Sequence, residues 1–311
     1  MAQVIEAPTV SAAPTEESSV TGFTPADWGL LAGIALMWGS SFTLIAEALE
    51  AFSPPLIALL RSLFGALTLV MFRKARIPIA RRDWRGIALL GALWMALPFL
   101  LFPIAQQWID SSLAGMINGG VPIFAALVAA IAIRRLPNRR QALGLILGFA
   151  GVLTVGWPAI QGVRSTALGV GLVLLGTICY GIAINIAVPL QQRYGSLPVL
   201  LRTQFVAIGL TLIPGLLAVP SSDFSGTALA AVIPLGCLGT ALAFVGMTTL
   251  VGRVGATRGS VTVYFIPIVA IALGAVVRNE SIHLLSILGT AMVIIGAFLA
   301  SRSDTRPARA A

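Results

Sequence analysis

Ten apolar segments, each about as long as a bilayer is thick, follow one another along this chain with only short polar links between them. They run roughly over residues 28–46, 55–72, 86–105, 112–133, 141–157, 167–190, 198–219, 227–250, 259–277 and 283–301. In lipid a backbone has to satisfy its own N–H and C=O groups, so segments of this length are restricted to helices. The expected fold class is therefore an all-α integral membrane protein with ten transmembrane helices. The breaks are clearest at Pro54-Pro55, from Arg134 to Arg140 and from Gln191 to Pro198. The third and fourth segments are parted only by a tight turn holding Gln106, Gln107, Asp110, Ser111 and Ser112.

Only 10% of the residues are charged against 58% apolar, far below the quarter or so charged in a soluble domain. A net charge of +9 does not point to nucleic acid here, because the arginines sit in short loops between apolar runs. Cys179 and Cys237 both lie within apolar segments, and His283 is the only histidine, so neither a disulfide framework nor a cluster of soft metal ligands is expected. No cofactor is implied. The partners expected are the lipid bilayer and a small-molecule substrate, with the chain working as a monomer. Residues 1–27 are rich in Ala, Pro, Ser, Thr and Glu, carry no Lys or Arg, and read as a disordered cytoplasmic tail rather than a signal peptide.

Loop charge sets the expected orientation. Sixteen Lys and Arg fall on the side of the N-terminus, six of them in one loop (Arg73, Lys74, Arg76, Arg81, Arg82, Arg85), whereas the other side has only Arg164 and Arg278. Such a bias places both termini in the cytoplasm, in a multi-pass protein of a bacterial-type inner membrane.

Residues 84–156 and 229–301 superimpose without a gap at an offset of 145. Gly91 falls on Gly236, Phe99 on Phe244, Pro122 on Pro267, Gly144 on Gly289 and Gly151 on Gly296. At 142, Trp38-Gly39 matches Tyr180-Gly181; at 141, Arg61, Phe64, Ala66 and Leu69 match Arg202, Phe205, Ala207 and Leu210. Each copy holds five spans, an odd number, so the second enters from the opposite face. The expected arrangement is two inverted five-helix repeats (5+5), residues 28–157 and 167–301, joined by a linker at 158–166 and followed by a cytoplasmic tail at 302–311. Carriers of this kind hold the solute near the midplane between the halves and exchange access by rocking.

These residues resemble the EamA-type members of the drug/metabolite transporter superfamily. The likeness rests on Trp38-Gly39-Ser40-Ser41 in the first span, on Pro55 to Arg61 and Pro198 to Arg202 opening the second and seventh, and on the prolines of the fourth and ninth. Glu280 stands nine residues before Gly289 as the family pattern has it, while the first half departs with Arg135 before Gly144. Glu280 is read as a helix-end or topology feature. Within the superfamily the overall likeness is to bacterial aromatic amino-acid exporters of the YddG type. The resemblance implies a carrier exporting small metabolites, amino acids including aromatic ones foremost. Export of other neutral metabolites or lipophilic drugs, or a non-catalytic channel, are the alternatives.

Mid-depth polar and aromatic residues are the candidate substrate contacts. Asn118 sits among Gly115, Gly119, Gly120 and Pro122, where small residues and a proline expose backbone. Tyr180 and Asn185 share the sixth span, and Tyr264 lies beside Pro267. Trp38, Ser41, Trp94, Phe99 and Phe244 would line an apolar cavity suited to a flat side chain. Asn118 and Asn185 are equally open to interhelix bonding, and the rings to packing. Pro98, Pro103, Pro122 and Pro267 are candidate hinges, with the third span kinked where the eighth is straight. Trp28, Trp84, Trp108 and Trp157 fit an interfacial belt.

Arg61 and Arg202 are the only basic residues well inside spans. Helix anchoring is the favoured reading for both, Arg61 pairing with Glu47 or Glu50, and a gate or a contact to a substrate carboxylate is the alternative. No Asp or Glu lies at mid-depth, which argues against proton coupling through a buried carboxylate and for uniport-like movement. The catalytic constellations of an intramembrane enzyme are missing, so an enzyme is not expected.

Overall fold

The computed structural model describes residues 23–133, 138–160 and 164–301. Every regular element among them is helical. Eight helices are long and apolar enough to cross a membrane: α1 (Pro25–Ala48), α3 (Arg81–Ala105), α4 (Ser111–Ala132), α5 (Arg139–Pro158), α6 (Thr166–Tyr194), α7 (Ser196–Leu217), α8 (Gly226–Val254) and α9 (Ser260–Val277). Two shorter apolar helices, α2 (Pro54–Val70) and α10 (Leu284–Ala300), complete the set. The expected segments are thus all helical. The first begins three residues earlier than expected, because Thr24 and Asp27 form a reciprocal capping box: the Thr24 hydroxyl accepts from the Asp27 N–H at 3.2 Å, and the Asp27 carboxylate from the Thr24 N–H at 3.1 Å. The tail before Phe23 and Arg135 lie outside the described residues.

Neighbours come in matching sets. Helix α1 packs on α9 as α6 packs on α4, and α2 packs on α8 as α7 packs on α3, while α2 meets α7 and α5 meets α10. The α5–α10 contact is backbone against backbone. A Cβ placed on Gly151 would lie 2.7 Å from the Gly289 carbonyl oxygen, and one on Gly289 2.8 Å from the Gly151 carbonyl oxygen. Small-residue spacing in α5 therefore does what it does in other membrane helix pairs, letting main chains approach. The pair Gly255 and Gly259 is different: nothing approaches Gly255, whose φ of +82° makes it a turn glycine closing α8 rather than a packing one.

Four helices are irregular at corresponding positions of the repeat. Helix α3 carries a π-helical stretch at Gly91–Ala96 and α8 one at Cys237–Leu242. Helix α4 breaks at Gly119-Gly120 just before Pro122, and α9 starts as a 3-10 stretch, Ser260–Phe265, just before Pro267. The sequence led us to expect a kink in α3 alone. Instead both helices widen at the same place in the repeat, although Pro98 follows the π turn of α3 and Pro234 precedes that of α8.

One register also changes. The match of Arg61 with Arg202 implied an offset of 141 between α2 and α7, but packing follows 142. Arg61, Ser62, Gly65 and Leu69 are buried in step with Thr203, Gln204, Ala207 and Thr211. A Cβ on Gly91 would lie 3.0 Å from the Thr203 carbonyl oxygen, and one on Gly236 2.8 Å from that of Arg61. The partner position of Arg61 is Thr203. A shared arginine misled the sequence match because burial, not residue identity, fixes which helix face turns inward.

Candidate functional site

Arg61 is the eighth residue of a seventeen-residue helix, about 10 Å of helical rise from its start, and only 7% of it is exposed. Its Nε donates to Thr240 Oγ1 at 2.9 Å, and its guanidinium carbon lies 3.9 Å from the centre of the Phe99 ring. Tyr180 is close enough to interact with it electrostatically. No carboxylate pairs with it among the described residues: Glu47 and Glu50 are both taken by Arg278, at 3.0 and 2.8 Å. The expected ion pair of Arg61 with those glutamates is thus replaced, because they end α1 at the surface while Arg61 lies two turns deep. Arg202 does behave as an anchor. Its guanidinium donates to the carbonyl oxygens of Ala75 and, at 3.1 Å, Arg76.

The widened turn of α8 makes the pocket for Arg61. Thr240 lies within it and donates its hydroxyl to the Leu235 carbonyl, five residues back, leaving its oxygen lone pair for the guanidinium. Ser41 stands against the same turn, its hydroxyl donating to Met37 O at 3.0 Å beside Gly239. One turn beyond Thr240, Phe244 packs edge-on against Trp38 at 5.3 Å and against Trp94 at 5.1 Å between ring centroids. On the other side Phe102 meets Phe42 and Tyr180, each at 5.7 Å. Phe99, Thr240 and Tyr180 thus surround the buried cation, while Trp38, Trp94 and Phe244 form one ring cluster a turn beyond Thr240 and Ser41 lies against the same turn at Gly239.

Three sequence candidates lie differently. Asn118 ends the first half of α4, is 8% exposed, and among the described residues its side-chain oxygen has no hydrogen-bond partner. Both side-chain bonds of Asn185 are structural, its Nδ2 donating to Ala125 O at 3.0 Å and Gly181 O at 2.9 Å. Tyr264 is buried in the 3-10 stretch of α9 and faces Phe298 of α10 at 6.5 Å.

Sequence reasoning passed over Thr240, Phe42, Phe102 and Gln204. Thr240 and Phe42 were findable, standing one turn from Phe244 and Trp38 on the same faces. Gln204 is fully buried in α7, its amide nitrogen reaching only Met95 Sδ at 3.5 Å and its oxygen unpartnered. It sits beside Gly65, as Thr240 does, so the two polar groups flank the same stretch of α2.

An open cavity of about 160 Å3 lies elsewhere, at the end of the bundle, walled by Trp108, Asp110, Ser112, Met116, His283 and Ser286 among others. Its position at helix turns, away from any unpaired interior charge, makes it a weaker candidate than Arg61. Beside it Glu280 caps α4, accepting from the N–H groups of Ser111 and Ser112 at 2.9 Å each and from the Ser111 hydroxyl at 2.7 Å. Burial pushes this carboxyl up, but the bonds from Ser112 and Ser111 outweigh it and hold Glu280 below its ordinary range. Asp110 is raised, by burial first and then by the neighbouring Glu280 charge. Glu280 is indeed a helix-end residue, though of a helix other than its own. Among the described residues no group of His, Cys, Asp and Glu is arranged to hold a metal.

An all-helical bundle with ten apolar helices, one broken within its length, one opening on a 3-10 turn and two widened by π turns, one of which holds a buried cation, is the build of a membrane transporter. The chain belongs to the EamA-like transporter family, whose profile it matches over residues 28–157 and 167–302. It is 24% identical to an uncharacterized transporter of Archaeoglobus fulgidus, over 88% of this chain and 98% of that one. It is 25% identical to a probable terminal-alkyne amino-acid exporter of Streptantibioticus cattleyicolor, over 88% and 93%, and 24% identical to the uncharacterized inner membrane transporter YedA of Escherichia coli K12, over 88% and 89%. A solved crystal structure at 15% identity superimposes with a TM-score of 0.62 over 88% of this chain and 96% of that one, a likeness of fold alone.

Proposed function

We propose that this protein is a secondary carrier that exports amino acids, aromatic ones included, across the inner membrane, with Arg61 holding the substrate carboxylate. The observation that carries this reading is a guanidinium buried at mid-helix with a hydroxyl and a ring for partners and, among the described residues, no counter-charge. A charge in that position is expensive, and such residues in membrane proteins serve ligands more often than packing. A bound carboxylate completes the site, and the rings of Trp38, Trp94 and Phe244 offer an apolar wall to a flat side chain. The amino-acid exporter among the relatives is in keeping with this substrate class.

Alternating access between inverted five-helix halves is the mechanism we infer. Its support is the matched neighbour sets, the equivalent π turns and the paired breaks at Pro122 and Pro267. The loop-charge bias supports our placing both termini in the cytoplasm. Ten apolar helices are enough for a pathway within one subunit, so a monomer is our reading, and the lack of a mid-depth carboxylate favours movement without proton coupling.

The test is counterflow in liposomes preloaded with unlabelled amino acid. Labelled phenylalanine, tryptophan and alanine should accumulate transiently without an imposed proton gradient. Uptake of dyes or nucleosides with no amino-acid counterflow would transfer the chain to the drug or metabolite reading, and non-saturating flux would make it a channel.

A further inference from the structure

The segment that links α2 to α3, together with the first turns of α3, forms a strongly cationic ledge. It carries Arg73, Lys74, Arg76, Arg81, Arg82 and Arg85, all exposed, on two 3-10 turns, Arg73–Arg76 and Arg81–Asp83, and the start of the helix that follows. Its one acid, Asp83, is occupied from behind, accepting from Arg193 at 2.8 Å and from the Tyr194 hydroxyl at 2.5 Å. Arg82 approaches it only at 3.8 Å with its side chain three-quarters exposed. Two buried residues, Ala75 and Ile79, fasten the segment to the bundle, and Arg202 clamps the carbonyls of Ala75 and Arg76. A loop that needed only to be solvated would require none of this.

Apolar side chains stand among the cations. Met71, Ile77 and Trp84 are 78, 48 and 41% exposed, at the ends of two apolar helices where the chain leaves the hydrocarbon. Cations interleaved with an indole and aliphatic groups at that level match a bilayer interface, where phosphate sits just above the acyl chains. Nucleic acid or a soluble acidic protein would gain from the charges and little from these exposed apolar groups.

We propose that residues 71–85 form a preorganised site for anionic phospholipid headgroups, with Arg73, Lys74, Arg81 and Arg82 contacting phosphate and Met71, Ile77 and Trp84 seated in the acyl boundary. Because Arg202 and Arg193 tie the ledge to α7 and α6, a lipid held there braces the α2–α7 contact, next to Arg61. The inference stands apart from the transport reading, since lipid retention is measured without substrate.

Full-length protein purified in neutral detergent and mixed with phosphatidylglycerol or phosphatidylcholine is examined by native mass spectrometry, with thermal unfolding in parallel. The wild type should retain phosphatidylglycerol in preference and unfold at a higher temperature with it. Arg73→Gln/Lys74→Gln/Arg81→Gln/Arg82→Gln should lower that retention about tenfold or more, while Arg139→Gln/Arg140→Gln, exposed cations at the start of α5, should leave it intact. If the quadruple variant does not fold, the wild type alone decides: added salt should release phosphatidylglycerol and leave phosphatidylcholine unchanged. No preference in the wild type, equal loss in both variants, or equal stabilisation by inorganic phosphate would overturn the proposal.

Discussion

Arg61 and Thr240, 179 positions apart in the chain, meet at 2.9 Å inside the bundle through a hydroxyl set in a π-helical turn. The contact satisfies one of the five guanidinium N–H groups and supplies no charge. Thr240 positions the cation, and under the proposed function the remaining donors serve the substrate carboxylate.

Replacing Arg61 separates a ligand role from an anchoring one. Arg61→Met should abolish amino-acid counterflow, by more than about tenfold, since pairing a buried charge with a ligand contributes on the order of 2–5 kcal/mol. The same variant should unfold at an unchanged or higher temperature, because an apolar side chain replaces a buried cation without counter-charge. A sharp fall in stability with transport preserved would restore the anchoring reading.

Side-chain selectivity should follow Phe244. In Phe244→Leu the edge-on contacts to Trp38 and Trp94 are lost while volume is largely kept, and aromatic pairs contribute about 0.5–1.5 kcal/mol each. The preference for phenylalanine and tryptophan over alanine, measured by competition, should drop about tenfold, with alanine flux little changed.

Helix α10 should tolerate no side chain at Gly296. A Cβ there would fall 2.5 Å from the Gly148 Cα and 2.6 Å from the Gly144 carbonyl oxygen, both backbone atoms that cannot rotate away. Gly296→Val should cost about 3 kcal/mol or more, read as a lowered unfolding temperature in detergent. Gly252→Val, with nothing within 4 Å of the new Cβ, should shift it far less.

Acid should loosen the Glu280 cap. The folded carboxyl lies below its ordinary value, so its stabilisation is fully present above the unfolded glutamate pKa and is lost as pH falls through the lower folded value. Glu280→Gln should therefore lower stability at pH 7, by about 1 kcal/mol as helix caps do. The gap from wild type should close on acidification below the usual glutamate range. A gap constant with pH would mean the carboxylate charge is not what the cap uses.

Much of the frame was legible from hydropathy alone, because a bilayer leaves an apolar run of this length few choices. Trp28, Trp84, Trp108 and Trp157 are all exposed, as their places near span ends suggested, while Trp38 and Trp94 face inward. The site was half legible. Rings and hydroxyls near the midplane could be picked out, but whether Asn185 would face a ligand or a neighbour's carbonyl depends on the rotation of α6 against α4, which pattern does not carry.

The sequence by itself determined the helices, their number and the scarcity of charge between them, since those follow from transfer of residues out of water one segment at a time. Tertiary structure alone decided the fate of each arginine. Arg202 and Arg61 look interchangeable along the chain, yet one reaches loop carbonyls and the other is enclosed by α3 and α8. Enclosure depends on a one-residue shift in register and on an extra-wide turn in a distant helix, and both arise only when the helices pack.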